Sequence, residues 1–193
     1  MSSVYNPYNL CFADFQLNGG QFDHPSLLHG IMHTYRVMIH TLRLGLLTGY
    51  IHEARLAFFA AYIHDMARKH DGYCTRHGAD AANLKLPLYH DLFVRNETTL
   101  PELLIIGKAC MMHSLSTELP LNDPDRIPVA ILKDADALDR IRLGANDLDP
   151  AFLRLKESHA CIPFSQQLYF HSTGLEPDTF ENIMNLSDEL LNL

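Results

Sequence analysis

The sequence has no run of lysine and arginine residues, and its formal net charge at pH 7 is −8. Such a chain has little attraction for the phosphate backbone of a nucleic acid or for an anionic membrane. No segment approaches the length of a membrane span, and the first residues lack a basic stretch followed by an apolar run. We therefore expect a cytoplasmic protein whose partner is neither a nucleic acid polymer nor a membrane.

Cysteine is scarce, and the four cysteines show no paired short spacing of the zinc-ribbon or thioredoxin kind. This pattern argues against a metal site or a redox centre built from thiols. Reduced and mostly buried thiols are the expectation for Cys11, Cys74, Cys110 and Cys161.

Alternating apolar and polar runs, which are typical of strands, are almost absent, whereas apolar residues recur at helical spacing in several long segments. The sequence thus predicts an all-α fold. Pro25 and Ser26 mark the start of the first helix, and Gly144 marks the end of a later one. Thr99 and Glu102 match a capping box. The predicted helices cover residues 27–47, 51–68, 78–86 (ending before Pro87), 99–113, 128–143, 151–157 and 177–192.

A chain of 193 residues with 47% hydrophobic residues is long enough to bury one sizeable core. It contains no internal repeat, low-complexity tract or linker, so a single domain over residues 1–193 is predicted. Residues 27–144 form its functional core. Residues 1–25 and 145–193 are expected to pack on that core as extensions.

Histidine, in contrast, is abundant, with 12 residues that lie mostly before residue 115. Three of them share one stripe of the first predicted helix with an arginine, because they stand at positions i, i+4, i+7 and i+11. A solvated face would not need these residues, and a shared site facing inward explains them better. The four residues are His29, His33, Arg36 and His40.

Two further polar groups adjoin apolar helical segments. His64 and Asp65 are consecutive at the end of "ARLAFFAAYIHD", and both can hold one ion over the flank of the helix. In "PVAILKDADALDRIR", three aspartates follow an apolar run, where unpaired negative charge would be unfavourable. A bound metal would relieve it, and so would ion pairs with neighbouring arginines. The aspartates are Asp134, Asp136 and Asp139, and the arginines are Arg140 and Arg142.

His33 in "HTYRV", the doublet His64–Asp65 and Asp136 in "DADALD" resemble the H…HD…D pattern of the HD-domain superfamily of metal-dependent phosphohydrolases. The resemblance covers residues 29–144 in the right order. It implies an HD-type helical bundle in which these four residues hold a divalent metal. Asp134 is the alternative to Asp136 as the last ligand.

A narrower resemblance concerns His77 in "HGADAA" and His113 in "KACMMHS". They look like the two additional histidines of HD proteins that hold two metals in the order H…HD…H…H…D. His90 in "LYHDLF" is the alternative to His77. The implied cofactor is one or two divalent ions, with Mn, Fe, Ni, Co, Zn or Mg as candidates.

Arg68 stands where many phosphodiesterase relatives have the lysine of "HDxxK". Its guanidinium can clamp phosphate oxygens, or it can form an ion pair with Asp65 or Asp71. Arginine cannot donate a proton at neutral pH, which leaves His29 and His70 as candidate proton sources. Asp71, which precedes a glycine, can form a turn or support a ligating histidine, and turn formation is the simpler interpretation.

The resemblance implies a metal-dependent phosphohydrolase or phosphodiesterase that cleaves a phosphate ester or anhydride of a nucleotide-like small molecule through a metal-activated water. Asp65 and Arg68 are the predicted catalytic residues. Two alternatives remain open: a di-iron oxygenase of the HD type, and a non-catalytic nucleotide-binding regulatory module.

Overall fold

The computed structural model describes residues 6–144, 146–175 and 179–192, and within these ranges all regular secondary structure is helical. The predicted all-α fold is confirmed. The helices are α1 (Ile31–Thr48), α2 (Ile51–Ile63), α3 (His77–Asp80), α4 (His90–Arg95), α5 (Leu100–His113), α6 (Arg126–Leu138), α7 (Lys156–Ala160), α8 (Ile162–Ser172) and α9 (Phe180–Leu191).

Helix α2 forms the centre of the bundle. All of its residues from Ala54 to Ile63 are buried, which is expected of a helix that is apolar on every side. It packs against α1, α5 and α6, and α1 also packs against α6. Helices α1, α2 and α6 therefore pack against one another, and the polar residues at the end of α2 lie among them.

Helix α1 begins at Ile31, four residues later than predicted. The Ser26 hydroxyl accepts hydrogen bonds from the backbone N–H groups of Leu28 and His29, which forms a separate turn before the helix. Gly30 allows this turn to lie close to the helix start, because a Cβ at this position would collide with the Ser26 carbonyl oxygen. Ser26 thus organises the approach to the helix instead of its first turn.

Helix α2 ends at Ile63 and not at Arg68. The backbone continues in tighter turns, in which Met66 N–H donates to the Ile63 carbonyl at 3.1 Å. The Met66 carbonyl accepts from Asp23 N–H at 2.9 Å, so the N-terminal segment is hydrogen-bonded to this turn. His64 and Asp65 consequently lie in this turn and not within a regular helix.

The predicted helix 128–143 is interrupted at Asp139. Helix α6 ends at Leu138, and a 3-10 turn covers Asp139–Arg142. The Ser165 hydroxyl donates to the Leu138 carbonyl, which would otherwise accept from Arg142 N–H. A contact from α8 therefore terminates α6.

The sequence predicts that the helix over residues 78–86 ends before Pro87, but helical turns continue beyond this residue. A π-helical turn at Ala81–Lys85 is followed by a 3-10 turn at Leu86–Tyr89, and α4 continues from there. Pro87 is tolerated because it occupies an early position of a new turn, where no N–H donor is needed. The capping box is confirmed, since Thr99 N–H donates to the Glu102 carboxylate at 2.6 Å.

The C-terminal region also differs from the prediction. Residues 151–157 divide between a 3-10 turn at Pro150–Phe152 and the start of α7, and α8 was not predicted. Helix α9 begins at Phe180 within the predicted 177–192 segment, of which residues 177 and 178 lie outside the described residues.

The described part of the N-terminal extension packs on the helices. Tyr8, Phe15 and Phe22 are buried, and the Phe15 ring meets the Phe58 ring edge-on at 4.9 Å. The four cysteines are free, but only Cys110 and Cys161 are buried, because Cys74 is half-buried and Cys11 is exposed. None of the helices in the described ranges combines the length and the apolar character needed to cross a bilayer.

Candidate metal centre

Six side chains that the sequence singles out as ligands meet at one place in the bundle. They come from five different elements: α1, the turn after α2, the first residue of α3, the last residue of α5, and α6. Five are buried, and the sixth, Asp136, is partly exposed. The residues are His33, His64, Asp65, His77, His113 and Asp136.

Ligand atoms within 4.8 Å of one another define two groups. One consists of His33, His64 and Asp136, and the other of His64, Asp65 and His113. His77 adjoins the second group, because its Nε2 lies 2.9 Å from Nε2 of His113.

The Asp65 carboxylate lies between two pairs of imidazoles. Its Oδ2 is 3.4 Å from Nε2 of His33 and 3.7 Å from Nε2 of His64. Its Oδ1 is 3.2 Å from Nε2 of His77 and 3.7 Å from Nε2 of His113. Metal bonds to nitrogen and oxygen of about 2.0–2.2 Å place ligand atoms of one ion roughly 3–4 Å apart. Each oxygen of Asp65 thus faces a different pair of imidazoles at distances that fit ligands of one ion.

The hydrogen-bond partners of the four histidines fix which ring nitrogen carries the hydrogen. Nδ1 of His64 lies 2.6 Å from the Ala61 carbonyl oxygen, an atom that can only accept, so Nδ1 is the donor. Nδ1 of His77 donates in the same way to the Cys74 carbonyl at 2.9 Å, and Nδ1 of His113 to the Cys110 carbonyl at 2.6 Å. Nδ1 of His33 donates to Asp139 Oδ2 at 2.7 Å.

In each neutral imidazole Nε2 is then an acceptor without hydrogen. Nε2 of His33 and His64 face each other at 3.2 Å, and those of His77 and His113 at 2.9 Å. Lone pairs at these distances repel each other, and the adjacent Asp65 carboxylate adds acceptors. These nitrogens and the Asp65 carboxylate form groups that could hold metal ions.

The protonation states of the cluster also suit metal binding. Burial lowers the pKa of His64 to about 3, so its imidazole is neutral at neutral pH. The Arg68 guanidinium donates to Asp65 Oδ1 at 2.9 Å and favours the ionised form of this carboxylate. A neutral imidazole and an ionised carboxylate are the forms of these side chains that bind a metal ion.

The close approach of α3 to α5 brings His77 into the cluster. Gly78 permits it, because a Cβ on Gly78 would collide with the carbonyl oxygen of Cys110. The Ser114 hydroxyl, one residue after His113, donates to the Thr75 carbonyl at 2.8 Å and ties the same two segments together.

Asp139 stabilises the cluster by binding Nδ1 of His33, a role that was not predicted from the sequence. Its carboxylate accepts from His33 Nδ1 and from the Arg36 guanidinium, through Nε at 2.5 Å and Nη2 at 3.0 Å. Both Arg36 and Asp139 are buried. Burial would raise the pKa of Asp139, but Arg36 and His33 outweigh this effect and hold it below the usual value. The sequence signal for this role was the spacing of three residues between His33 and Arg36 and between Asp136 and Asp139.

The structure separates the two candidates for the last ligand. Asp136 Oδ1 lies 3.4 Å from Nε2 of His33. Asp134 is fully buried elsewhere and accepts from the N–H groups of Arg154 and Leu155 and from the Ser158 hydroxyl. Asp134 therefore anchors the segment before α7. The N–H groups of Arg154 and Leu155 donate to this carboxylate and not to backbone carbonyls, which explains why residues 153–155 are not helical.

The other histidines do not join the cluster. His90 is half-buried and lies beside Asp91, its neighbour in sequence. His40 is buried edge-on to Phe164, and neither of its ring nitrogens has a hydrogen-bond partner among the described residues. Burial lowers its pKa to about 4. The expectation that His29, His33, Arg36 and His40 share one inward site is therefore wrong for His40.

Arg68 Nε donates to Asp65 Oδ1 at 2.9 Å, so the ion pair with Asp65, and not with Asp71, is present. Asp71 instead accepts from the Ser26 hydroxyl at 2.5 Å and pairs with Nδ1 of His29 at 2.9 Å. Its carboxylate thus joins two chain segments, whereas the sequence favoured local turn formation. His70 is exposed and accepts from Gly72 N–H.

Two recesses open onto the cluster. The entry recess, of about 340 Å³, is lined by His29, Arg68, Asp71 and His77, among other residues. The side recess, of about 400 Å³, extends towards Phe152 and Arg154. Both recesses reach the cluster, because His113 and Asp136 line each of them. They also share Tyr73 and Arg140.

Comparisons of the chain with protein-family models, with curated proteins and with solved structures give no match. The resemblance to the HD-domain superfamily therefore stays a prediction. The chain is an all-helical bundle with buried histidine and aspartate groups that could hold metal ions.

Proposed function

We propose that this protein is a metal-dependent hydrolase that cleaves a phosphate ester or anhydride in a nucleotide-like small molecule. The proposal assigns His33, His64, Asp65 and Asp136 to a first divalent ion. It assigns His77 and His113, with the second oxygen of Asp65, to a second ion.

One observation carries the proposal: four imidazole Nε2 atoms without hydrogen converge on the two oxygens of a single buried carboxylate. Such a set of nitrogen and oxygen donors suits Mn, Fe, Co, Ni or Zn, and Mg less well. Each Nδ1 hydrogen is committed to a backbone carbonyl or to Asp139, a pattern that orients ligating histidines in metal sites.

Divalent metal at this centre would supply Lewis-acid activation of a phosphate group and of a water molecule. The chain supplies the binding groups around it. Arg68 and Arg140 line the entry recess and offer guanidinium N–H donors to phosphate oxygens. These cations, with the metal charge, make the recess attractive to an anion although the chain as a whole is acidic.

We expect the purified protein to contain about two divalent ions per chain, because the donor atoms form two groups around Asp65. Elemental analysis after dialysis against Mn²⁺ or Fe²⁺ measures the stoichiometry. A panel of phosphate monoesters, diesters and anhydrides, assayed with the same preparation, tests the hydrolase. A variant in which His77 and His113 are both alanine is expected to retain about one ion.

Less than half an ion per chain after loading would contradict the metal centre. One ion in the wild-type protein, unchanged in the double alanine variant, would contradict the second site alone. Two irons, visible colour and oxygen consumption without phosphate release would favour the di-iron oxygenase. Stoichiometric metal without turnover of any substrate would favour the regulatory module.

Replacement of Arg68 by methionine is expected to lower kcat/KM by about ten- to a hundredfold, because charge-assisted hydrogen bonds contribute about 1.5–3 kcal/mol. Metal content should stay unchanged, since Arg68 offers no metal ligand. Lysine at this position should restore only part of the activity, because it lacks the planar fork of N–H donors.

Arg76 provides the matched control for this variant. It forms an exposed pair with Asp80 on α3 and lines neither recess. Arg76→Met should keep the wild-type kcat/KM. If Arg68→Met loses metal or unfolds, the residue has a structural role through its pair with Asp65 and does not bind substrate.

A further inference from the structure

The side recess differs in chemistry from the entry recess, although both reach the cluster. Two aromatic side chains line it: Tyr73 is 91% exposed and Phe152 is 69% exposed. Tyr73 lies where the two recesses join, whereas Phe152 lines the side recess alone. Exposed rings at the edge of a site can stack on a planar group.

Most of the cationic charge in the side recess is already paired. The Lys133 ammonium donates to Glu118 at 2.7 Å, and the Arg154 guanidinium donates to Glu118 and to Asp134. Arg140 Nε donates to the Asp147 backbone carbonyl and so leaves its positive charge without a carboxylate partner among the described contacts. Arg140 also lines the entry recess. The unpaired positive charge of Arg140 therefore lies at the junction of the two recesses. The aromatic surface of Phe152 extends from this junction into the side recess.

The wall that carries Phe152 is held in place by hydrogen bonds. Asp134 Oδ2 accepts from the N–H groups of Arg154 and Leu155, each at 2.9 Å. Asp149 caps the preceding turn by accepting from Ala151 N–H at 2.9 Å. A preorganised wall loses little conformational entropy when a ligand binds.

We propose that the side recess is a binding site for an aromatic ring attached to the phosphate group of the substrate. The inference rests on the proposed function, because the phosphate is assigned to the metal cluster and to Arg140 at the junction. The ring then contacts Phe152 and Tyr73. This site makes aryl-bearing phosphates better ligands than small alkyl phosphates.

Benzylphosphonate and methylphosphonate test the site without turnover, because a phosphonate has no ester bond to cleave. Calorimetric titration into Mn²⁺-loaded protein should give roughly tenfold tighter binding of benzylphosphonate, as expected for aromatic contacts. Phe152→Ala should abolish most of this difference and leave the affinity for methylphosphonate unchanged. Phe170→Ala is the control, since Phe170 is 75% exposed and lines neither recess.

Equal affinities of the two phosphonates for the wild-type protein would overturn the inference, and so would full discrimination in Phe152→Ala. The test separates this inference from the proposed function. Preferential binding of benzylphosphonate by a protein that hydrolyses no phosphate ester would uphold the site and contradict the hydrolase. Equal kcat/KM for benzyl and ethyl phosphate would uphold the hydrolase and contradict the site.

Discussion

Asp65→Asn is expected to lower kcat/KM by at least about a thousandfold, because the several kcal/mol of charge stabilisation that a catalytic metal supplies correspond to this factor. The amide keeps the shape of the side chain but loses the negative charge that lies between the two pairs of imidazoles. Metal content should fall together with activity. Elemental analysis, steady-state kinetics and circular dichroism on the same preparation measure the three properties.

The chain offers a matched control, because it contains another His–Asp doublet at residues 90–91. His90 is half-buried and Asp91 is exposed, and neither lines the recesses. Asp91→Asn should therefore keep wild-type metal content and activity. If Asp65→Asn turns over substrate at a near wild-type rate with metal still bound, the assignment of Asp65 as a shared ligand is wrong.

Asp139→Ala is expected to lower the free energy of unfolding by about 3–5 kcal/mol, the usual effect of removing one partner from a buried ion pair. The variant leaves the buried Arg36 guanidinium without its carboxylate and removes the acceptor for Nδ1 of His33. Urea denaturation followed by circular dichroism measures the change. Since charge burial drives the effect, the double variant Arg36→Met with Asp139→Leu should recover most of the stability.

An exposed ion pair gives the comparison for this stability effect. Arg76 and Asp80 pair on the surface of α3 at 3.2 Å, and Asp80→Ala should change the free energy of unfolding by less than about 1 kcal/mol. An Asp139→Ala variant as stable as Asp80→Ala would show that the buried cluster contributes little to the fold.

Local patterns in the sequence were sufficient for the fold class and for most helices. Apolar residues at helical spacing predict α1, α2, α5 and α6 because each of these helices buries a face or its whole surface. The capping box at Thr99 and Glu102 fixed the start of α5 because both partners lie within one turn. The helix ends were less predictable where a distant side chain takes a backbone acceptor, as Ser165 does at the Leu138 carbonyl.

The order of histidines and aspartates along the chain resembles the H…HD…H…H…D pattern, and this resemblance nominated the six candidate ligands. It could not choose between Asp134 and Asp136, because residues two positions apart on a helix point in nearly opposite directions and either side of α6 could have faced α1. The choice depends on tertiary packing. The segment before α7 brings its N–H groups to Asp134, and α1 brings His33 to Asp136. Tertiary packing also positions His77, because Gly78 lets α3 approach α5 closely. It positions Asp139 as well, because the buried Arg36 of α1 pairs with its carboxylate.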